Sequence, residues 1–286
     1  MIVGLIAMYM PKKEEIKNIA KYIDKLDYCF LLDDSARDNS LICKELTEKY
    51  PEKVEYYMNP YNIGLVGSVN NGFKMAIEKG ADWVLVMNPD GTFQNDSISI
   101  FRKYIVTNTT DNVGIICPRF NIDRHPREAG SGTREVKYPD MTGCLYNTKI
   151  LSTIGFYDVN TYFYGLDLEY CLRVMKNGYK IIECSEAVLD HKPADTFNVK
   201  VFGKTIMKCG IDTPQRYYYQ FRSAYYICKK YRSFYCFAFH VYKCLKAVFF
   251  FDNKNEYFKM IKLGIHDAKC GFYGNFKDRE DTIWKF

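Results

Sequence analysis

The sequence predicts an α/β fold, a mostly parallel sheet with helices on both faces, followed by a helical, aromatic-rich extension. Short apolar runs alternate with segments of helical period through the first half of the 286-residue chain. Hydrophobic residues make up 48% and charged residues 26% of the chain, which excludes a disordered or fibrous protein. From residue 214 onward the pattern is helical and rich in Tyr and Phe.

The individual elements follow from the spacing of the apolar residues and from the residues that interrupt them. Strands are predicted at Gly4–Tyr9, Tyr28–Leu32, Val54–Met58 and Ala81–Met87, and helices at Lys12–Leu26, Ser40–Tyr50 and Gly67–Lys79. Beyond residue 112 we predict strands at Val113–Pro118, Tyr179–Glu183 and Ala187–Leu189, a polar loop at Asp123–Lys137 and a helix at Asp167–Asn177. The pattern predicts one domain over residues 1–213 and an extension over residues 214–286.

The charge of the chain is concentrated at its C-terminal end. Residues 1–199 hold 23 basic and 27 acidic side chains, whereas residues 200–286 hold 17 basic and 7 acidic ones and 23 of the 47 aromatic residues. A basic, aromatic segment favours a negatively charged partner, either a membrane surface or nucleic acid. The alternative is a helical core of packed aromatic rings. His240, Lys243 and Lys246 interrupt the most apolar run, Phe234–Phe251, which disfavours a transmembrane helix.

The eleven cysteines contain no Cys-x-x-Cys pair. Their number and spacing argue against a disulfide framework and against a structural zinc site, and predict buried free thiols in a reducing cytosol. The opening residues 1–8 carry no basic segment before the apolar run, which predicts a first strand and not a signal peptide. We therefore expect a cytoplasmic protein, and the sequence leaves its oligomeric state open.

Polar residues follow several of the predicted strands, where ligands bind in open α/β sheets. Tyr9-Met10-Pro11 follows the first strand, Asp33-Asp34-Ser35 the second, and Asn88-Pro89-Asp90-Gly91 the strand at Ala81–Met87. The chain has neither a Gly-x-Gly-x-x-Gly after the first strand nor a Gly-x-x-x-x-Gly-Lys-Ser/Thr, which excludes the standard dinucleotide and P-loop motifs. A bound nucleotide diphosphate then calls for Mg²⁺ or Mn²⁺ on a carboxylate.

Three side chains are candidates for chemistry, and each has a plainer alternative. Asp90 is placed to bind the metal, or to cap the turn at Gly91. Asp167 is placed to act as a general base. The alternative for Asp167 and Glu169 is that they stabilise a helix N-terminus and that one of them pairs with Arg173. His191 follows a short strand, where it is either a ligand or a structural residue.

Seven segments carry a resemblance to a known family. They are Tyr9, Asp33-Asp34-Ser35-Ala36-Arg37-Asp38, Asn62-Ile63-Gly64 through Asn70-Asn71-Gly72, Asn88-Pro89-Asp90, Thr142-Gly143, Gly155-Phe156-Tyr157-Asp158, and Asp167 to Arg173. In this order and spacing they resemble the motifs of family-two glycosyltransferases of the GT-A fold, in particular the bacterial rhamnosyltransferase and galactofuranosyltransferase-like branch. The resemblance covers about residues 1–230.

The resemblance implies a metal-dependent inverting glycosyltransferase of cell-surface polysaccharide synthesis, a hexosyl- or deoxyhexosyltransferase at the inner face of the plasma membrane. It implies a nucleoside-diphosphate-sugar donor (UDP or dTDP), a glycan or lipid-linked acceptor, Mg²⁺ or Mn²⁺, peripheral membrane contact and no nucleic acid. A catalytically inactive GT-A scaffold and a nucleic-acid-binding protein are the alternative hypotheses.

The resemblance also implies a role for each matching residue. Asp167 is the expected catalytic base, and Asp90 and His191 are the expected metal ligands. The expected nucleotide-binding residues are Tyr9, Asp33, Asp34, Asn62, Gly64, Asn70 and Asn88, and the expected donor- or acceptor-sugar residues are Thr142, Gly143 and Glu169. Leu166 stands where the family has an acidic residue, so we expect Asp167 to lack a close like charge that would raise its pKa.

Overall fold

The computed structural model describes residues 1–201 and 204–279. The chain divides into two compact units, a first unit of residues 1–157 and 167–211, and a second unit of residues 158–166 and 212 onward. The expected boundary after residue 213 assigned residues 158–166 to the first domain, whereas the structure groups them with the C-terminal helices.

The first unit is built on a nine-stranded mixed sheet. Its strands are β1 (Ile2–Met8), β2 (Tyr28–Asp33), β3 (Val54–Met58), β4 (Trp83–Met87), β5 (Thr92–Phe93), β6 (Val113–Asn121), β7 (Thr133–Glu135), β8 (Cys144–Asn147) and β9 (Lys180–Asp190). The strand order is β3-β2-β1-β4-β8-β6-β9-β5, with β7 paired to β9. Strands β1 to β4 are parallel, β6 is parallel to β9, and β8 is antiparallel to β4 and β6. The predicted α/β class is confirmed.

Helices connect these strands. They are α1 (Lys13–Ile19), α2 (Ser40–Lys49), α3 (Gly64–Glu78), α4 (Ser97–Thr107), α5 (Thr148–Ile154) and α6 (Leu166–Lys176). Every residue of β1 is buried, as expected for a parallel strand covered on both faces. Gly72 lets α3 approach the sheet closely, because a Cβ there would lie 2.5 Å from Cδ1 of Leu32.

Several regions of the first unit differ from the sequence prediction, including the helix predicted at Lys12–Leu26, which ends at Ile19 as α1. The two short strands predicted near residues 179–189 form one strand, β9, whose register against β6 shifts after Pro118 and accommodates the polar Ser185 and Glu186. Residues beyond β9 form an antiparallel hairpin of β10 (Asp195–Val201) and β11 (Lys204–Ile211), which the polar sequence did not indicate. Strand β7 lies within the predicted loop.

The second unit is helical, as predicted. It contains α7 (Pro214–Tyr231), α8 (Phe234–Phe250) and α9 (Lys254–Cys270). Gly264 of α9 packs against α7, since a Cβ there would lie 2.4 Å from the carbonyl oxygen of Tyr218. Across the described residues, the helices are too short or too polar to cross a bilayer.

Candidate active site

Most of the predicted site residues lie at one edge of the sheet of the first unit. Asp33 ends β2, Asn88 and Asp90 follow β4, and His191 follows β9. The carboxyl ends of β1, β2 and β4 share this edge because the three strands are parallel. The fold therefore gathers the expected nucleotide-binding and metal-binding segments.

Asp33 organises the loop that follows β2. Its carboxylate is fully buried and accepts hydrogen bonds from the Asn39 amide at 2.7 Å, the Tyr56 hydroxyl at 2.8 Å and the Ser35 backbone N–H at 3.0 Å. A nucleobase would have to displace one of these donors to reach Asp33. The direct effect of Asp33 in this structure is to shape the loop at residues 34–40.

Asp34 joins this loop to the start of α3. Its carboxylate accepts hydrogen bonds from the Asn59 amide at 3.0 Å and the Ile63 backbone N–H at 2.9 Å, and its carbonyl accepts one from the Asn62 amide at 3.0 Å. Burial raises the pKa of Asp34, and these donors counteract the shift. Gly64 has a φ of +79°, a conformation that glycine adopts without strain.

Tyr9 is the accessible member of the nucleotide-binding set, with 62% of its surface exposed. The backbone N–H of its neighbour Met10 donates to Oγ of Ser35 at 2.6 Å, which ties the end of β1 to the loop after β2. An exposed aromatic ring beside a polar loop is suited to stacking on a nucleobase.

Hydrogen bonds from Asn18 of α1 stabilise the turn that contains Asp90. The Asn18 amide donates to the carbonyl oxygens of Pro89 at 3.1 Å and Gly91 at 2.6 Å. The Gly91 N–H donates to the Asn88 carbonyl at 3.1 Å. Backbone and Asn18 contacts thus close the turn. The plainer alternative required the Asp90 carboxylate to cap Gly91, but this carboxylate is exposed and does not do so.

His191 lies against Asp140, a residue that the sequence did not single out. Its Nε2 is 3.7 Å from Oδ2 of Asp140, while its Nδ1 is buried and has no hydrogen-bond partner among the described residues. Burial alone lowers the pKa of His191, but the Asp140 and Asp90 carboxylates outweigh it, and the pKa is raised. The neighbouring carboxylates therefore favour the protonated imidazole, while Arg124 opposes this effect.

Asp167 lies in the first turn of α6. Oδ1 accepts a hydrogen bond from the Leu168 backbone N–H at 2.8 Å. Burial raises the pKa of Asp167 to about 7, and the Asp140 carboxylate adds to the shift. The expectation that Asp167 lacks a close like charge is therefore wrong, because Asp140 replaces the neighbour that Leu166 removes. A carboxyl with this pKa is suited to proton transfer at neutral pH.

Glu169 takes the structural role that the sequence offered to either acidic residue of α6. It has no exposed surface, and its carboxylate accepts a hydrogen bond from Nη2 of Arg173 at 2.8 Å. Arg173 also donates to the carbonyl oxygens of Ile154 at 2.7 Å and Phe156 at 2.6 Å. We therefore reassign Glu169 from sugar contact to positioning of α6, which leaves Asp167 free of the Arg173 pair.

The side chains of Asn70 and Thr142 also form hydrogen bonds with the protein backbone. The Asn70 amide exchanges two hydrogen bonds with the backbone of Tyr157, at 2.9 and 3.0 Å. Thr142 is buried, and its hydroxyl accepts from the Asn88 backbone N–H at 3.0 Å. Gly143 has a φ of +73° and packs against Leu189. These side chains set the backbone of the site in place.

Two residues of the site, Asp140 and Asn18, were not predicted from the sequence. Asp140 immediately precedes the Met141-Thr142-Gly143 motif, and its carboxylate accepts from the Thr142 backbone N–H at 3.0 Å. That position was its only signal in the sequence. Asn18 had none, because it stands among the polar residues of an ordinary amphipathic helix.

Three residues at this edge carry donor types that suit a divalent cation, but among the described residues their ligand atoms do not all lie within 4.8 Å of one another. Asp90 and Asp140 offer carboxylate oxygens. His191 offers an imidazole, whose buried Nδ1 has no hydrogen-bond partner among the described residues. Oxygen donors suit Mg²⁺, and a mixed set with imidazole also suits Mn²⁺. The carboxylates that raise the pKa of His191 would attract a cation by the same electrostatic interaction.

Comparison with known sequences places the chain among sugar-transferring enzymes. Residues 13–163 match the glycosyl transferase family 2 domain. The chain is 25% identical over 255 residues to dTDP-rhamnosyl transferase RfbF of Shigella flexneri, covering 80% of each chain. It is 23% identical over 236 residues to galactofuranosyltransferase GlfT1 of Mycobacterium tuberculosis, covering 73% of this chain and 77% of the relative.

A solved structure, GalNAc-T7 with UDP, GalNAc and Mn²⁺, matches the fold with a TM-score of 0.54 at 12% identity. The match covers 72% of this chain and only 45% of the GalNAc-T7 chain. It therefore shows a GT-A-like fold and no more. The family domain spans more than half of the chain and includes the strand-end segments around Asp34 and Asp90. The chain belongs to glycosyl transferase family 2 and has its GT-A-like fold.

Proposed function

We propose that this protein transfers a sugar, with inversion, from a nucleoside-diphosphate-sugar to a hydroxyl group of a glycan or lipid-linked acceptor. The observation that carries the proposal is the placement of Asp167. Burial raises its pKa to about 7 and the Asp140 carboxylate adds to the shift, and Asp167 belongs to the same unit as the strand ends that carry Asp90 and His191. This combination provides a base and an anion-stabilising site.

The reaction is a single displacement. The acceptor hydroxyl oxygen attacks the anomeric carbon, the bond from that carbon to the diphosphate oxygen breaks, and Asp167 accepts the hydroxyl proton. Asp140, whose charge helps to raise the pKa of Asp167, makes Asp167 a stronger base than an ordinary carboxylate. Attack opposite the leaving group inverts the anomeric configuration.

Asp90 and His191 are proposed to hold Mg²⁺ or Mn²⁺ beside the donor diphosphate. The cation, when bound, neutralises charge that develops on the leaving group. Asp90, which is exposed, follows β4, and the buried His191 follows β9 at the same edge of the sheet. Asn18 contributes by fixing the Asp90 turn.

The donor is proposed to carry UDP or dTDP, and the product is proposed to be part of a cell-surface polysaccharide. One relative is named as a dTDP-rhamnosyl transferase and another as a galactofuranosyltransferase, and the GalNAc-T7 structure contains UDP. The exposed Tyr9 ring is the proposed base contact.

A thermal-shift panel of nucleoside diphosphates, each with and without Mn²⁺ or Mg²⁺, tests this proposal. A ligand that binds only the folded state stabilises it by about 2.7 kcal/mol at a hundredfold excess over Kd. We expect a metal-dependent rise in melting temperature with UDP or dTDP. Asp90→Ala should abolish the metal dependence, whereas Asp111→Ala, an exposed carboxylate before β6, should retain it. A panel without any shift would contradict the proposal and favour an inactive scaffold.

We also propose that α8 contacts an anionic membrane surface, where a lipid-linked acceptor would lie. Phe234, Phe237 and Phe249 of this helix are 81%, 60% and 66% exposed. No acidic residue occurs between Lys229 and Phe251. Exposed aromatic rings beside basic residues are typical of helices that lie in a membrane interface.

Sedimentation with vesicles of neutral or partly anionic lipid tests the membrane proposal. We expect binding to the anionic vesicles, a several-fold loss in Phe237→Ser/Phe249→Ser, and no loss in Val106→Ser, which removes a still more exposed apolar side chain from α4. Equal binding by all three proteins would contradict a role for α8. Binding of RNA or single-stranded DNA in preference to vesicles would favour the nucleic-acid hypothesis instead.

A further inference from the structure

The connection between α7 and α8 brings together two cysteines and a histidine. Arg232, with a φ of +50°, ends α7, and the Ser233 hydroxyl caps α8 by accepting from the Cys236 backbone N–H at 3.3 Å. This tight reversal places Cys228, in the last turn of α7, beside Cys236 and His240 in the first two turns of α8.

The three ligand atoms have the spacing of groups that share one metal ion. Nδ1 of His240 lies 3.8 Å from Sγ of Cys228 and 3.9 Å from Sγ of Cys236, and all three atoms lie within 4.8 Å of one another. Tetrahedral zinc, with bonds of about 2.3 Å to sulfur and 2.0 Å to nitrogen, separates sulfur from nitrogen by about 3.5 Å and two sulfurs by about 3.8 Å. The two sulfur-to-nitrogen distances need to shorten by only a few tenths of an ångström to match this geometry.

The imidazole of His240 presents Nδ1 to the two thiols. Nδ1 contacts the Cys236 carbonyl oxygen, and Nε2 is buried without a hydrogen-bond partner among the described residues. Binding of a cation at Nδ1 exchanges the carbonyl contact for a metal bond and leaves the ring proton on Nε2.

The charges also balance. The two thiols release their protons to solvent when a divalent cation binds, and the two thiolates then neutralise the cation. Cys228 and His240 are only partly buried, so a water molecule can reach the fourth coordination position.

We propose that Cys228, Cys236 and His240 bind a thiophilic divalent cation, zinc, which links the end of α7 to the start of α8. The donor set of two sulfurs and one nitrogen selects zinc over the Mg²⁺ or Mn²⁺ expected at the oxygen-rich Asp90 site. The cysteine spacing in the sequence argued against such a site, because the ligands are contributed by two helices. The link would fix α8, which carries the exposed aromatic rings, relative to α7.

Cobalt substitution in the reduced full-length protein tests this site. We expect one Co²⁺ per chain to produce thiolate-to-cobalt charge-transfer absorption, and Zn²⁺ to displace it and raise the melting temperature. Cys228→Ser, Cys236→Ser and His240→Ala should each lose or strongly weaken the absorption. Cys244→Ser, a partly buried cysteine one turn beyond His240, should retain it, and so should Asp90→Ala.

The wild-type protein by itself can overturn the proposal. Absence of the charge-transfer absorption in fully reduced wild-type protein would do so, whatever the stability of the variants. Retention of the absorption in Cys228→Ser, with a melting curve like that of the metal-free wild type, would also do so. A Cys228–Cys236 disulfide that resists a reductant and excludes zinc would assign the pair to a redox role instead.

Discussion

Replacing Asp167 by Asn is expected to lower turnover about 10²- to 10⁴-fold while the nucleotide still binds. The amide is close to the carboxyl group in size and cannot accept the acceptor proton. Steady-state kinetics with an identified donor, together with nucleotide thermal shifts, measure the two effects separately. Asp111→Asn is the matched control and should keep wild-type turnover. Near-wild-type turnover in Asp167→Asn would remove Asp167 from the mechanism.

The pH dependence adds a second readout for the same residue. Asp167 acts as a base only when it is deprotonated, so turnover of the wild type should rise as the pH passes through about 7. Asp140→Asn removes the nearby carboxylate and should move this midpoint to lower pH. A midpoint that does not move would show that Asp140 does not act on Asp167.

Stability should show the opposite trend with pH. Because the folded-state pKa of Asp167 is raised, its contribution to stability is full below the unfolded pKa, near 4, and is lost as the pH rises to about 7. Between pH 5 and 8, the wild type should therefore lose more stability than Asp167→Asn. Urea unfolding at the two pH values measures the difference.

Replacing Arg173 by Ala is expected to lower the free energy of unfolding of the first unit by about 3–5 kcal/mol. The change removes the charged partner that Arg173 provides to the buried Glu169 carboxylate, and it removes the donors to the carbonyl oxygens of Ile154 and Phe156. Turnover should also fall, because α6 carries Asp167 close to Glu169. Chemical unfolding curves measure the loss.

Variants at neighbouring positions separate the buried ion pair from general effects on α6. Lys176→Ala, an exposed basic residue of the same helix, should change stability by less than about 0.5 kcal/mol. Arg173→Lys should recover only part of the loss, because an ammonium group lacks the planar fork of donors. Arg173→Met combined with Glu169→Leu should be more stable than Arg173→Ala, since no buried charge remains. Equal stability of Arg173→Ala and Lys176→Ala would contradict the role of the pair.

The elements of the first half were predictable because their signals are local. The apolar runs of β1 and β2 and the spacing of α3 depend on residues a few positions apart. Residues 179–190 were predicted as two strands, because the polar Ser185 and Glu186 interrupt the apolar pattern. In the structure they form one strand, because the register shift against β6 accommodates these two residues. The hairpin of β10 and β11 is polar, so its strand pairing leaves little periodicity in the sequence.

Candidate site residues could be predicted where they belong to a sequence motif. Residues that join the site only through contacts in space could not. Asp90, Asp167 and His191 stood out by their position after strands or at a helix start. Asp140 did not, since an isolated acidic residue in a polar segment has no distinctive pattern. The structure also assigned Glu169 to Arg173, which the sequence left open between two acidic residues.

The sequence by itself determined the α/β class, the helical basic extension and the membership of glycosyl transferase family 2, because each rests on periodicity or on motifs in order. Only the tertiary structure decided that Asp140 lies against His191 and raises the pKa of Asp167, and that Cys228 lies beside Cys236 and His240. Such proximities depend on the order of strands in the sheet and on the tight turn between two helices. A pKa and a ligand set depend on distance in space, and periodicity along the chain does not encode that distance.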